Sequence, residues 1–477
     1  MRQRRLLLLA ALLAALTGLR LLLATLLPLV PDEAYYWVWS HALAPGYLDA
    51  PPMIALWIRA GIWLGGQNAA SVRLLGPLAA ALGVVLLADA GRSLFPAHPR
   101  AGLRAALLLS ATPLLGAGAV LATPDTPLLF FWTVTLWALA HVPQASSRHG
   151  GGWFLLAGLA GGCALDAKYT AAFLPVGALL WLLLTPSRRG WLARPAPWLA
   201  ALLALAVFAP VIGWNLAHGG ASFIKQGGRL ADFDWGRAWQ FEAELIGGQI
   251  GLASPLIWLL CLVGLIRAAR AAWRGDAGAT LLLCLTLPAA LVFLEHASGD
   301  RVQGNWPAIL YPGATLAAGM ATGDGWRARL FAPALGLGAA LTALVYAQAL
   351  WGVLPVPPTR DPTALQMAGW PALARAIGAR TNCVVARNYG LASELAFYAP
   401  PGLRVIAAAP RWALFRLPAG GCGADGMAVH RLHPSAPDSG SLIRRRGAAA
   451  VAAYGLSRAP TPIAPPARVL PLRHAPD

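Results

Sequence analysis

The chain is short of charge. Only 12% of its 477 residues are Asp, Glu, Lys or Arg and 58% are apolar, whereas a soluble chain carries about 25% charged residues. Such a deficit leaves too little polar surface to cover a water-soluble fold of this length. Lysine is nearly missing: of 37 basic side chains, only Lys168 and Lys225 are lysines. The net charge of +18 is therefore an arginine charge of the kind a GC-rich genome supplies, and it points to no nucleic-acid partner. Cysteine is scarce as well. Cys163, Cys261, Cys284, Cys383 and Cys422 show no metal-ligand spacing. The first three fall in apolar runs, and Cys383 and Cys422 can pair if their part of the chain faces an oxidising compartment. No internal repeat is visible. These absences exclude a soluble enzyme, a nucleic-acid-binding domain and a disordered protein.

What the chain has instead is leucine and alanine in long runs. About 20 apolar helical residues cross a hydrocarbon core of about 30 Å. Eleven runs fit that reading, near 6–29, 71–90, 103–122, 126–142, 153–167, 170–185, 196–215, 252–269, 278–294, 305–322 and 328–351. The fold class is thus an all-α polytopic membrane protein with about eleven transmembrane helices. The first run follows Arg2, Arg4 and Arg5, but it is too long for a signal-peptide core and lacks a small-residue cleavage site, so it reads as a retained helix.

Orientation follows from the arginines. With a cytoplasmic N-terminus, the inner segments carry fifteen basic residues (Arg2, Arg4, Arg5, Arg92, Arg100, Arg104, Arg148, Arg188, Arg189, Arg194, Arg267, Arg270, Arg274, Arg327, Arg329) against Asp89, Asp276 and Asp324. That excess obeys the positive-inside rule. The opposite loops carry eleven of the nineteen carboxylates, at Asp32, Glu33, Asp49, Asp125, Asp166, Asp232, Asp234, Glu242, Glu244, Glu295 and Asp300. An ionised group that enters the core costs about 2.5–3.5 kcal/mol, so acids kept at helix ends are functional candidates. Their clustering predicts which face holds the site.

The membrane domain covers 1–351. Its first outer loop, 31–70, contains two amphipathic stretches, 34–41 and 53–64, whose Trp and Tyr content suits helices at the headgroup level. A second outer loop, 216–250, is long enough to act as a lid. After Pro355, Pro357 and Pro358 the apolar runs stop. Helix-like 370–379, strand-like 383–387, helix-like 391–398 and strand-like 403–407 predict a small periplasmic α/β domain over 352–456. The Pro/Ala-rich tail, 457–477, reads as loose.

Five clusters could carry chemistry. In Pro31-Asp32-Glu33-Ala34-Tyr35-Tyr36-Trp37, the two acids can simply cap a helix start. Alternatively, Asp32 is a general base with Glu33 as a metal ligand or hydrogen-bonding partner. Gly46-Tyr47-Leu48-Asp49-Ala50-Pro51-Pro52-Met53 can be no more than a proline turn opening a helix. Thr123-Pro124-Asp125-Thr126-Pro127 is an ordinary tight connection or a second carboxylate facing Asp32. Asp166-Ala167-Lys168-Tyr169 places one of the two lysines at a helix junction, where it can snorkel or meet a phosphate. The last cluster joins Glu295 and His296 with Arg301, Asn305 and Trp306.

The order Asp-Glu-Ala-Tyr-Tyr-Trp followed by Gly-Tyr-x-Asp-x-Pro-Pro-Met resembles bacterial glycosyltransferase family 39, which is similar to protein O-mannosyltransferases and to the lipid A aminoarabinose transferase. Lys168-Tyr169, the Asn305-Trp306 region and the segment from Gly390 to Tyr398 add weaker matches. The resemblance implies a GT-C membrane fold and inverting transfer of a sugar from a polyprenyl-phosphate donor to a lipid, glycan or protein acceptor at the periplasmic face of the inner membrane. It implies catalytic roles for Asp32, Glu33 and Asp125, which could also hold a divalent metal ion. Asp49, Tyr36, Lys168, Tyr169, Lys225, Arg229 and Arg301 are the expected substrate contacts. The sequence departs from the family at Ala50, where relatives often carry His or Lys, so any contact made by that side chain is lost or supplied elsewhere. A transporter or flippase of lipid-linked glycans is the rival class, although such proteins place ionisable groups near the midplane within repeated halves.

Overall fold

Among the described residues, six helices are long and apolar enough to cross a membrane: Leu7–Leu26, Ala69–Leu94, Pro195–Ala217, Pro255–Trp273, Ala277–Ala297 and Gly325–Trp351. A seventh run bends by 110° between Tyr169–Leu184 and Pro186–Ala193, where Pro186 ends one helix and opens the next. Asp125–Ala140, Gly151–Ala167 and Ala101–Ala111 are shorter apolar helices. The protein is a multi-pass membrane protein, described here from a computed structural model. It describes residues 2–144, 146–147, 149–227, 235–323, 325–432, 440–460, 463 and 466–474. Arg148, Arg229, Asp232, Asp234 and Asp324 lie outside the described residues.

All eleven apolar runs carry helix, though not all as single straight rods. The 103–122 run breaks at Thr112, which caps a separate Pro113–Gly118 helix. The 305–322 run begins as the short turn Trp306–Leu310 and continues as Tyr311–Ala321. One long helix was not expected. Trp235–Ala253 lies inside the supposed outer loop, and its apolar pattern is masked by Gln240, Glu242, Glu244 and a run of glycines.

Without a hydrophobic drive between helices in lipid, close backbone approach has to hold the bundle. Small residues supply it. A Cβ on Gly102 would sit 1.9 Å from the Ala88 carbonyl oxygen, and one on Gly158 would sit 2.3 Å from that of Ala200. Leu7, Leu12, Leu19 and Leu26 remain exposed on the first helix, as expected of a surface solvated by acyl chains rather than water.

The two expected interfacial helices are Pro31–His41 and Met53–Gly65. They do not merely lie on the bundle. Tyr35, Trp37, Trp39, Tyr47 and Ile54 join one continuous core with the C-terminal domain. That domain is a six-stranded sheet built of β1 (Cys383–Ala386), β2 (Arg404–Ala408), β3 (Met427–Arg431), β4 (Leu442–Arg446), β5 (Ala449–Arg458) and β6 (Ala467–Val469), in the order β4-β5-β3-β1-β2-β6. β1 runs parallel to β2 and β3, and the other pairs are antiparallel. Helices Trp370–Gly378 and Tyr389–Tyr398 cover the face turned to the membrane domain. Cys383 and Cys422 are disulfide-bonded on the other face. The tail expectation needs correcting: Ala467–Val469 pairs with β2, because it covers an otherwise bare sheet edge.

Candidate active site

Glu33 and Arg73 decide the geometry of the site. Glu33 reaches back from the first turn of Pro31–His41 to accept the Val30 N–H at 3.1 Å. It also accepts the Ala122 N–H at 2.8 Å and Arg73 Nε at 2.7 Å. Arg73 in turn donates to the carbonyls of Leu27 and Pro28 at 2.6 and 2.8 Å. Both charged groups are wholly buried, with side chains 0% exposed. This pair ties the end of the first helix, the start of Pro31–His41 and the turn before Asp125 into one unit.

One residue earlier, Asp32 points the other way. It faces a cavity of about 740 Å³ also lined by Tyr36, Asp49, Asp125, Lys168, Tyr169, Lys225, Asn305, Tyr389 and Arg411. The Tyr389 hydroxyl donates to Asp32 at 2.9 Å, and no other side-chain partner is recorded for it among the described residues. Asp32 is open to the cavity but crowded by its walls. The resulting desolvation, helped by the charges of Asp49 and Glu33, holds its carboxyl above the usual carboxylate range; the Tyr389 hydrogen bond and Arg411 oppose the shift.

The other two cavity carboxylates are fully engaged. Asp49 accepts from Tyr35 Oη at 2.9 Å and Arg411 Nη1 at 3.1 Å, and pairs with Lys225 from helix Ala221–Gly227. Asp125 accepts from Lys168 Nζ at 2.7 Å and Asn305 Nδ2 at 2.6 Å. Tyr169 bonds Ser222 at 2.7 Å, linking the lysine junction to the Ala221–Gly227 helix. Lys168 is matched by Asp125, whereas Lys225 and Arg411 share Asp49, so the cavity's three cations are balanced only when Asp32 is ionised as well.

Asp32, Asp49, Asp125, Tyr36, Lys168, Tyr169 and Lys225 thus converge on one cavity. Glu33 does not. Its carboxylate is consumed by Arg73 and two backbone N–H groups, which corrects its expected catalytic and metal-ligating roles. Arg301 is also displaced: its side chain is 59% exposed and pairs with Glu244 at 2.6 Å, away from the cavity lining. Asp32, Glu33 and Asp125 do not form one ligand set, and no cluster of three or more His, Cys, Asp or Glu side chains suited to a metal occurs among the described residues. The structure adds Tyr389 and Arg411, both from the C-terminal domain. Tyr389 borders the 390–398 segment whose resemblance was noted; Arg411 carries no sequence signal in a chain so rich in arginine. Gly390 permits their approach, since a Cβ there would lie 2.8 Å from that of Pro31. A smaller apolar cavity of about 440 Å³, lined by Val84, Leu109, Leu114, Leu129 and Phe130, also reaches Asp32 and Asp125.

Comparison with known proteins accords with this geometry. The family model described as dolichyl-phosphate-mannose-protein mannosyltransferase matches residues 49–214. The lipid A galacturonosyltransferase RgtD of Rhizobium johnstonii is 33% identical over 292 residues, 60% of this chain and 59% of its own length. The match therefore spans less than two thirds of that relative. The crystal structure of ArnT from Cupriavidus metallidurans bound to undecaprenyl phosphate superposes with TM-score 0.64 at 16% identity, covering 94% of this chain and 97% of that one. Its apo form gives 0.60 at 15% identity, with the same coverage. The chain thus shares the membrane fold of ArnT, and its residues 49–214 match the dolichyl-phosphate-mannose-protein mannosyltransferase family model.

Proposed function

We propose that this protein is an inverting glycosyltransferase that moves a sugar from a polyprenyl-phosphate carrier to a lipid acceptor. Its site would face the periplasm, with the N-terminus cytoplasmic and the protein in the inner membrane of a bacterium. The observation that carries the proposal is the convergence of Asp32, Asp49 and Asp125 with Lys168, Lys225 and Arg411 on one cavity at a single end of the bundle. A lipid donor is supported by the apolar cavity that leads to the same carboxylates, and by the undecaprenyl phosphate named for ArnT. A lipid acceptor is supported by the lipid A named for RgtD.

In this reading Asp32 takes the proton of the acceptor hydroxyl as its oxygen attacks the anomeric carbon. The bond from that carbon to the phosphate oxygen breaks, and the electron pair leaves with the polyprenyl phosphate. In-line attack inverts the anomeric centre, and positive character grows on the sugar ring in the transition state. A departing phosphate needs cations rather than an acid. Lys225 and Arg411, which share the one carboxylate of Asp49, meet that need most directly, with Lys168 held by Asp125, itself fixed by Asn305. The metal expectation gains no ligand set here, so no step is assigned to one. The transporter reading is disfavoured because the ionisable groups stand at one end of the bundle rather than near its middle. Purified protein in detergent, given labelled polyprenyl-phosphate sugar and lipid A, should yield glycosylated lipid A. Lipid-linked sugar crossing proteoliposome membranes without transfer would instead identify a flippase.

A further inference from the structure

A second large cavity, about 1070 Å³, stands in the C-terminal domain and plays no part in the mechanism above. It opens at the carboxyl ends of the parallel strands: Arg387 and Asn388 follow β1, Pro410 follows β2, and His430 and Arg431 end β3. Ligands of α/β sheets bind at such ends. The lining holds four arginines, Arg387, Arg431, Arg444 and Arg458, and among the described residues no acid.

Arg444 is the telling member. It is only 2% exposed, yet its Nε and Nη1 have no hydrogen-bond acceptor. It is held rigidly, its guanidinium 3.7 Å from the Trp370 ring centroid and its Nη2 donating to the Leu365 carbonyl at 2.7 Å. A buried guanidinium with unpaired N–H groups is costly, and an anion is the acceptor that would offset both the lost hydrogen bonds and the charge. The nearby acid does not supply one. Glu394 is fully buried, accepts no hydrogen bond, and is pushed well above the usual carboxylate range by burial, against the opposing charge of Arg444.

The two cavities are neighbours. Arg387 and Asn388 line this one while Tyr389 lines the active-site cavity, and Pro410 lines this one while Arg411 lines the other. Pro31, beside Asp32, also borders it. We propose that the arginine cavity is an oxyanion subsite that holds a phosphate group on the acceptor's saccharide head while the acceptor hydroxyl faces Asp32. Guanidinium groups suit this task because their planar N–H donors match phosphate oxygens. The proposal rests on the glycosyl-transfer reading.

The test uses the full chain in detergent. Isothermal titration with inorganic phosphate should give heat in the wild type, and Arg444→Gln and the exposed pair Arg387→Gln/Arg431→Gln should both abolish it. Glu394→Gln should leave it unchanged; phosphate heat that appears or strengthens only in that variant would make Glu394 the counterion of Arg444 and overturn the proposal. In transfer kinetics, the exposed pair should raise the KM for phosphorylated lipid A at least tenfold, with kcat and donor KM unchanged. Enzymatically dephosphorylated lipid A should show that higher KM already in the wild type, and no further change in the variant. Equal KM values for the two acceptors in the wild type, or phosphate heat without any effect on acceptor KM, would overturn it. If the wild type transfers no sugar at all, the glycosyl-transfer reading fails, and the phosphate titration still judges the cavity by itself.

Discussion

Asp32 and Glu33 are adjacent, and their replacement should produce opposite defects. Glu33 sits in a fully buried ion pair with Arg73 and also receives the N–H groups of Val30 and Ala122. Removing one charge from such a pair strands the other without water or counterion, at about 3–5 kcal/mol. Glu33→Gln keeps one oxygen, which served two of the four N–H donors, and loses the charge, so it should lower stability by about that amount. Asp32 makes one side-chain hydrogen bond, from Tyr389, and opens to the cavity. Asp32→Asn should therefore change stability by no more than about 0.5 kcal/mol, the range of substitutions that break no buried network. It should also reduce transfer by about 10²–10⁴-fold, the share of a general base. Thermal unfolding and transfer from a labelled polyprenyl-phosphate sugar, measured on the same detergent preparations, separate the two. The reasoning fails if Glu33→Gln melts like the wild type, or if Asp32→Asn keeps near-normal turnover.

Two further outcomes are expected. Because burial raises the Asp32 carboxyl and the ionised form is the working base, kcat/KM should rise with pH through a value above the ordinary aspartate pKa of about 3.9; Tyr389→Phe removes a hydrogen bond that lowers that value, so the acidic limb should move to higher pH, and an unmoved limb would exclude Asp32 as the titrating group. The Cys383–Cys422 bond closes a loop with a sequence separation of 39, so Cys383→Ser should cost about 2–4 kcal/mol in the unfolding of the C-terminal domain under oxidising conditions, and no loss on thiol treatment of the wild type would contradict this.

Much of the fold was legible because its causes are local. Lipid solvation demands apolar helices, so the membrane class and all eleven helical runs follow from composition and run length. The two loop helices and β1 likewise follow from their own aromatic or β-branched residues. The Trp235–Ala253 helix escaped notice because its polar residues and glycines break the apolar run that marked the others. Strand β6 escaped because three residues in a Pro/Ala-rich tail become a strand only when a sheet edge is there to receive them.

The site divides along the same line. The sequence by itself determined which residue types gather at one face: carboxylates at helix ends, and two lysines in an arginine-dominated chain. Tertiary structure alone decided their roles. A helix turns by about 100° per residue, so of two adjacent acids one meets the cavity and the other meets Arg73, forty positions away in the chain. Tyr389 reaches Asp32 across 357 positions and Arg411 reaches Asp49 across 362. Contacts so remote leave no periodicity and no spacing. They exist because packing the C-terminal sheet onto the first loop buries one shared aromatic core.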